Sequence, residues 1–219
     1  MVAREQDARA RREPPRLYLI SELASDGQTL VCMLDTVLAA ADVAAVLLRL
    51  PQLDERGLIN LAKTAAPVVQ RSGAALLLDG HPELVARAGA DGAHLTGLEA
   101  VQAALSGLKP DRIAGAGGLK TRHDAMVAGE AGADYVMFGE PDETGRRPAF
   151  PAVLERIEWW SEVFEIPCVG FAGDADEVAA LGRAGADFVA LGACIWRDAR
   201  GPAAALASAA ERLSCVELA

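Results

Sequence analysis

A four-residue phrase, Ala-Gly-Ala-Asp, occurs three times in this chain, at residues 88–91, 131–134 and 184–187. Each copy follows a helix-like run and precedes a short apolar run. Glycine just past the last turn of a helix adopts the left-handed conformation without steric cost, so the three glycines are predicted helix C-caps. The repeated junction therefore predicts a repeated unit in which a helix ends and a buried strand begins.

Short apolar runs recur eight times and alternate with helix-like segments. They lie at residues 17–20, 42–49, 74–78, 92–95, 112–116, 135–138, 168–171 and 188–191. Their hydrophobicity is continuous rather than alternating, which is typical of strands covered on both faces, as in a parallel sheet. Eight such units without a large insertion favour a closed (β/α)8 TIM barrel over an open doubly wound α/β sheet.

The segments between these runs predict the helices. They cover residues 28–40, 53–72, 98–105, 150–164 and 202–213, with further helices opening near residues 82, 121 and 174. Pro67 is expected to kink or interrupt the second helix. Thr121 with Asp124, and Asp174 with Glu177, have the spacing of capping boxes.

The length favours a single domain. At 219 residues the chain is slightly shorter than a typical TIM barrel of ~250. Residues 1–14 alternate charges and lack the apolar region of a secretory signal, so we expect a mobile N-terminal arm there. The barrel is then expected to occupy residues 15–219.

The composition limits the partners and the compartment. A formal charge of −10 argues against nucleic acid and against an anionic membrane surface. A phosphorylated small molecule remains compatible, because it needs only a local electropositive pocket. No apolar run approaches the ~20 residues of a membrane span. The four cysteines are far apart, which indicates reduced core thiols in a cytoplasmic protein rather than disulfides or a zinc site: Cys32, Cys168, Cys194 and Cys215.

Two glycine-containing loops are predicted at the end of the barrel where ligands bind. The loops after strands seven and eight of a TIM barrel frequently hold phosphate, and here they are residues 170–174 and 192–194. Small residues let backbone N–H groups approach an oxyanion closely. Gly173, Gly192 and Ala193 are therefore the predicted phosphate-binding residues. The alternative is that these glycines only permit tight turns.

Four stretches resemble the thiamine-phosphate synthase/TenI superfamily, and in order they span nearly all of residues 17–200. Leu17–Ile20 matches the opening strand of the family, Gly89–Leu95 its GADGVHL strand, Ala133–Gly139 with Glu143-Thr144 the ADYVLFG…ET stretch of the TenI branch, and Ile166–Gly173 the IPVVAIGG phosphate loop.

This resemblance implies a TIM barrel and a reaction class. The synthases, transferases of EC 2.5.1 type, join a hydroxymethylpyrimidine diphosphate to a thiazole phosphate, while Mg²⁺ neutralises the departing pyrophosphate. The TenI branch instead aromatises the thiazole phosphate by proton transfer and uses a histidine. The resemblance thus implies a phosphorylated ligand and a role in thiamine biosynthesis.

The site motifs of the family are only partly retained. In place of its QLREK motif the chain has Leu47–Pro51, in which only Arg49 fits a substrate-binding role. The Asn-Asp-Arg motif of the family aligns with residues 79–81 of this chain. The metal-binding aspartate of the family has therefore become Gly80, and Asp79 is the expected substitute. The second acidic ligand falls at Glu99, and a glutamate oxygen also suits Mg²⁺.

Two further loops show the same divergence. The serine-threonine-histidine stretch of the family after strand five has become Gly117–Lys120, so its serine is lost and the TenI histidine has no equivalent. Gly117 is the expected substrate contact there, and Lys120 is the nearest polar group. Thr144 is what remains of a Thr-Pro-Thr-Lys loop, followed by two arginines.

The histidines differ in their expected roles. His81 follows a strand end and is the best histidine for a site, so Asp79, His81 and Lys120 are the catalytic candidates. His94 lies inside an apolar run and is expected to be a structural core histidine.

The retained and lost motifs leave three interpretations open. The chain is an active synthase-like transferase with shifted ligands, an enzyme acting on another phosphorylated small molecule, or a non-catalytic paralogue that binds or regulates. Loss of several motif residues together argues against the first, because pyrophosphate departure needs concentrated positive charge.

One tryptophan falls outside the expected core face of its helix. Val153, Ile157 and Trp160 form an apolar stripe with Phe164, and Trp159 lies ~100° away from Trp160 around the helix. An apolar ring outside the core often marks an interface. We therefore expect a homo-oligomeric contact at Trp159, the alternative being packing against a neighbouring helix.

Overall fold

Eight parallel strands close into a barrel in which each strand pairs with the next along the chain and the last pairs with the first. The computed structural model describes residues 13–216, so most of the arm predicted at residues 1–14 lies outside the described residues. The strands are Arg16–Ile20 (β1), Val43–Leu48 (β2), Ala75–Asp79 (β3), Gly92–Thr96 (β4), Ile113–Gly117 (β5), Tyr135–Phe138 (β6), Cys168–Ala172 (β7) and Phe188–Leu191 (β8). The predicted TIM barrel is confirmed.

A helix follows each strand, and two follow the last. They are Gly27–Leu38 (α1), Glu55–Arg71 (α2), Val85–Ala88 (α3, after a short 3₁₀ turn at Pro82–Leu84), Leu98–Leu108 (α4), Arg122–Ala131 (α5), Phe150–Val163 (α6), Glu177–Arg183 (α7), Ala193–Trp196 (α8) and Pro202–Ser214 (α9). The short helix α8 was not predicted.

Two local predictions are corrected: the helix is not interrupted at Pro67, and Asp174 and Glu177 do not form a capping box. Helix α2 runs for 17 residues through Pro67 without interruption. Pro67 is exposed, so the carbonyl that loses its amide partner can bond to water instead. The Thr121–Asp124 capping box is present. Asp174 does accept the N–H groups of Asp176 and Glu177 at the start of α7, but the Glu177 carboxylate accepts the N–H of Gly173 instead of closing a box.

The three Ala-Gly-Ala-Asp copies form the same junction. Their glycines have φ values of 70°, 110° and 96°, the left-handed conformation predicted for them. The alanine after each glycine is buried and donates its N–H to the carbonyl five residues back, the 6→1 bond of a Schellman motif. The three copies therefore end their helices with the same hydrogen-bond pattern.

The aspartate of each copy ties two neighbouring strands together. Its carboxylate accepts the N–H of a residue at the start of the preceding strand, at 2.7 to 2.8 Å, and its own N–H donates to the carbonyl of that same residue. The pairs are Asp91 with Leu76, Asp134 with Ala114, and Asp187 with Cys168. The repeat thus fastens the N-terminal end of the barrel at three places.

Replacing Asp187 by alanine is expected to lower the free energy of unfolding by about 1–3 kcal/mol, because the N–H of Cys168 loses its acceptor inside the protein. Urea denaturation followed by circular dichroism measures the change. Asp111→Ala, at an exposed turn residue, is the matched control and should change the midpoint little. Equal midpoints for the two variants would contradict the role of the repeat.

The core has two layers. The larger lies between the barrel and its helices. The smaller fills the barrel interior and contains Tyr18, Leu47, Leu77, Tyr135 and Met137. At the N-terminal end of the strands this inner layer leaves a cavity of about 160 Å³, lined mostly by apolar and small side chains. This cavity therefore offers few polar groups to a ligand.

The cysteines do not all belong to the core. Cys168 is buried and Cys194 is half-buried, whereas Cys32 and Cys215 are exposed on or beside helices. The prediction of core thiols is therefore wrong for two of the four, because their helical positions face outward. Within residues 13–216, no helix is long and apolar enough to cross a membrane.

Trp159 is partly covered by its own chain. Its ring packs edge-on against Phe164 and Trp160, with centroids 5.5 and 5.8 Å away. The guanidinium of Arg122, on the preceding helix, lies 4.8 Å from the ring centroid. This is the packing against a neighbouring helix that sequence analysis gave as the alternative. Whether a second copy covers the remaining surface stays a prediction.

Candidate functional site

Polar side chains gather where the strands end. Arg49 follows β2, Asp79 ends β3, His94 lies in β4, and Glu140 and Arg147 lie in the loop after β6. Essentially every TIM-barrel enzyme has its active site at this face. The carboxyl ends of the strands are thus the candidate site.

The centre of this site is a pair formed by His94 and Glu140. His94 Nε2 lies 2.9 Å from Glu140 Oε1, with exposed side-chain fractions of 1% and 18%. The second carboxylate oxygen, Oε2, accepts the N–H of Gly118 at 2.9 Å. Glu140 therefore links the loops after β5 and β6 while resting on a buried histidine.

A hydrogen-bonded chain continues from His94 into the barrel. His94 Nδ1 lies 2.9 Å from the hydroxyl of Tyr135, which lies 2.9 Å from the hydroxyl of Tyr18. Both tyrosines are buried. The chain therefore connects β4, β6 and β1 through the barrel interior and fixes the histidine ring.

Glycines in β5 make room for this chain. A Cβ at Gly115 would lie 2.1 Å from the Tyr135 ring, and one at Gly117 would lie 2.2 Å from Glu140 and 2.4 Å from His94. Gly117, a predicted substrate contact, thus lies beside the pair, and the pair fills the space of its missing side chain. His94 is buried, as expected of a core histidine, but its partner belongs to the site.

Burial and neighbouring charges have opposite effects on the pKa values of His94 and Asp79. Burial lowers the pKa of His94, but the Glu140 carboxylate and then Asp79 outweigh it, so the pKa is raised overall. Burial raises the pKa of Asp79, and nearby His94 and Arg49 only partly offset that rise. Burial also raises the pKa of Tyr18 and Tyr135, so both hydroxyls keep their protons at neutral pH.

Asp79 and Arg49 lie close together because they stand at the ends of the neighbouring strands β3 and β2. Arg49 Nε lies 3.8 Å from Asp79 Oδ2, and both side chains are partly exposed. The backbone N–H of Arg49 donates to the hydroxyl of buried Ser21 at 3.0 Å. Two predicted site residues therefore form an ion pair at the ends of β2 and β3.

The loop after β7 is closed by a second ion pair. Arg147 Nη2 donates to Glu177 Oε2 at 2.9 Å and to the carbonyl of Phe171, and Arg147 Nε donates to the carbonyl of Gly139. Glu177 also accepts the N–H of Gly173 at 2.6 Å. The N–H of Gly173, predicted to bind phosphate, thus already has a partner within the chain.

The loop after β8 leads directly into α8. Gly192 is buried and caps this short helix, whereas Ala193, its first residue, is exposed. The indole N–H of Trp196 donates to the carbonyl of Ile20 at 2.8 Å, which anchors α8 to the end of β1. Gly192 and Ala193 therefore lie at the predicted face.

The remaining predicted residues are less closely grouped. His81 pairs with Glu83 at 3.2 Å, and Thr144 is held by Asp142 within its own exposed loop. Lys120 and Glu99 are exposed, in the loop after β5 and the first turn of α4. In the part of the chain that the structure describes, no three His, Cys, Asp or Glu side chains form a group able to hold a metal ion.

Glu140 and Glu177 were not predicted as site residues, and Arg147 was noted only as one of the two arginines after Thr144. Glu140 had a usable signal, because it comes two residues after a buried strand, where the side chains of a barrel site begin. The alternating glycines Gly115 and Gly117 were a second signal, since they leave space inside the barrel for larger neighbours.

Comparisons with known proteins agree with this architecture. The profile of the family described as thiamine monophosphate synthase, TMP-TENI, matches residues 17–195. The thiamine-phosphate synthase of Rhodospirillum centenum is 41% identical over 196 residues, covering 88% of this chain and 94% of the relative. That of Hyphomonas neptunium is 38% identical over 205 residues, covering 89% and 92%.

Solved structures share the fold at lower identity. A thiamine phosphate pyrophosphorylase from Pyrococcus furiosus superposes with a TM-score of 0.74 at 20% identity, covering 92% of this chain and 96% of the other. A 3-hexulose-6-phosphate synthase superposes with a TM-score of 0.68 at 16% identity, covering 90% and 99%.

Proposed function

The chain belongs to the thiamine monophosphate synthase family, and from this membership we propose that it binds a phosphorylated ligand of thiazole or pyrimidine type at the C-terminal face of its barrel. It is a thiamine-phosphate synthase-like protein of thiamine biosynthesis. The finer proposal is that its catalytic site has diverged. We also propose that it acts in the cytoplasm.

The convergence of polar side chains at one end of the barrel supports this proposal most. Arg49, Asp79, Glu140 and Arg147 lie at the carboxyl ends of the strands, whereas the cavity at the opposite end is lined mostly by apolar and small side chains. Glycine loops after β7 and β8 border the same face. Gly173, Gly192 and Ala193 are the proposed phosphate contacts, and at Gly173 the ligand must displace the carboxylate of Glu177.

We propose that Mg²⁺ binds together with a diphosphate rather than alone. Asp79 and Glu99 offer carboxylate oxygens, which suit a hard cation. Two carboxylates are too few by themselves, and Mg²⁺ usually completes its coordination with substrate phosphates and water. When bound, the metal would neutralise negative charge on the diphosphate.

Turnover on the family's own substrates, a hydroxymethylpyrimidine diphosphate and a thiazole phosphate, is expected to be below the ordinary enzyme range of ~1–10³ s⁻¹. The reason is the loss of the QLREK lysine, of the aspartate that is now Gly80, and of the serine after strand five. A coupled assay for thiamine phosphate measures the rate.

Calorimetry with the same protein separates binding from catalysis. Pyrophosphate with Mg²⁺ should bind, and Mg²⁺ alone should give no measurable heat. Turnover within the ordinary range would contradict the diverged site, and tight binding of Mg²⁺ alone would contradict the shared coordination. Binding without turnover would favour the alternative of a non-catalytic paralogue or of an enzyme acting on another phosphorylated molecule.

We also propose a homo-oligomer in which a second copy covers Trp159. Trp159→Glu is then expected to lower the mass measured by light scattering while leaving the circular dichroism unchanged. Val163 is 60% exposed and lies one turn further along the same face of the helix, so Val163→Glu should lower the mass as well. A wild-type protein that stays monomeric at high concentration would remove the proposal.

A further inference from the structure

Glu140 differs from Asp79 and Glu177, two other carboxylates at this face of the barrel. Asp79 and Glu177 each have an arginine partner, Arg49 and Arg147. For Glu140 the recorded partners among residues 13–216 are His94 and the N–H of Gly118. Of these three carboxylates, Glu140 alone is paired with a histidine, which is charged only when it is protonated, rather than with an arginine.

This carboxylate still has capacity for a ligand. A carboxylate offers about four lone-pair positions, and the two recorded contacts use one on each oxygen. Its exposed fraction of 18% lies at the end of the barrel where Gly117 contributes no side chain. A ligand that enters between the loops after β5 and β6 therefore meets an oxygen acceptor.

The acceptor is also fixed in position. Both of its oxygens are bonded at 2.9 Å, and His94 is held by the buried hydroxyls of Tyr135 and Tyr18. A charge that is held in place before the ligand arrives costs little reorganisation, and it favours an opposite charge strongly where water is partly excluded. An anionic group placed there would be repelled.

We propose that Glu140 is the residue that distinguishes a positively charged ring from a neutral ring in the ligand. The ligand would lie with its phosphate toward the loops after β7 and β8 and its ring toward the loops after β5 and β6. This inference rests on the proposed function, because it assumes that a phosphorylated ring compound binds at this face.

The test uses two probes that differ in ring charge. One is the phosphate monoester of hydroxyethylthiazole, which has a neutral ring, and the other is its N-methyl thiazolium derivative, which carries a fixed positive charge. Calorimetry gives the affinity of each for the wild type, Glu140→Gln and Glu143→Gln. Glu143 is exposed, three residues further along the same loop, and serves as the matched control.

The wild type is expected to bind the thiazolium probe at least tenfold more tightly than the neutral probe. Glu140→Gln should bind both probes with affinities within about twofold of each other, and Glu143→Gln should keep the wild-type preference. Glutamine can keep the contacts of Glu140, because the His94–Tyr135–Tyr18 chain can reverse the direction of its donors. Urea midpoints check that the variant is folded.

Each outcome separates this inference from the proposed function. A wild type that binds both probes equally overturns the inference alone, and that measurement needs no variant. A Glu140→Gln variant that keeps the preference overturns it as well. A wild type that binds neither probe overturns the proposed function, and the inference with it.

Discussion

Replacing Gly92 by alanine is expected to prevent the barrel from closing normally between β4 and β5. A Cβ at this position would lie 2.2 Å from the carbonyl oxygen of Ile113 and 2.6 Å from its Cβ. The first of these atoms belongs to the backbone of the neighbouring strand, so no side-chain rotation relieves the overlap. The free energy of unfolding should fall by about 3 kcal/mol or more.

Gly107→Ala is the matched control for this substitution. Gly107 lies inside helix α4 with open space where its Cβ would point. Alanine there should raise the free energy of unfolding by about 0.5–1 kcal/mol, because it is the better helix former. Urea denaturation of both variants gives the comparison, and a Gly92→Ala midpoint equal to that of the wild type would refute the packing argument.

Glu140→Ala is expected to destabilise the protein almost as strongly, by about 3 kcal/mol. It leaves His94, which is 1% exposed, without a partner at Nε2, and it removes the acceptor of the Gly118 N–H. A buried polar group that is left without its partner costs about 1–3 kcal/mol, and more when it is charged, as His94 is when protonated. Thermal and urea denaturation measure the loss.

Glu155→Ala provides the comparison for an exposed pair. Glu155 pairs with Arg122 at 2.7 Å, but the two side chains are 72% and 44% exposed. Exposed pairs contribute about 0–1 kcal/mol, so this variant should resemble the wild type. If the two alanine variants unfolded at the same urea concentration, the His94–Glu140 pair would have no special structural role.

The barrel could be predicted because its signal is local and repeated. The Ala-Gly-Ala-Asp junction combines a helix end with a strand start within four residues, and its three copies precede β4, β6 and β8. The aspartate of the same phrase also makes a long-range contact, which no local pattern indicates. Each aspartate bonds to the preceding strand, and that partner is known only when the register of the barrel is known.

The site was less predictable for a related reason. Strands of a parallel barrel are apolar on both faces, so the pattern around His94 does not reveal whether its ring points into the barrel or toward the helices. The pairing with Glu140 joins residues 46 positions apart, one in β4 and the other in the loop after β6, and these two strands are not neighbours. Arg49 and Asp79 could be grouped because both follow the ends of adjacent strands, and the structure brings them together.

Because the Tyr135 ring packs directly against Gly115, substitutions at these two positions are coupled. Any side chain at 115 would occupy the space of the Tyr135 ring, whose hydroxyl in turn fixes His94. A related protein can therefore have a side chain at position 115 only if the residue at position 135 is smaller than tyrosine. Such a protein lacks the hydroxyl that fixes His94. We therefore expect related proteins either to retain Gly115, Tyr135 and His94 together or to replace them together.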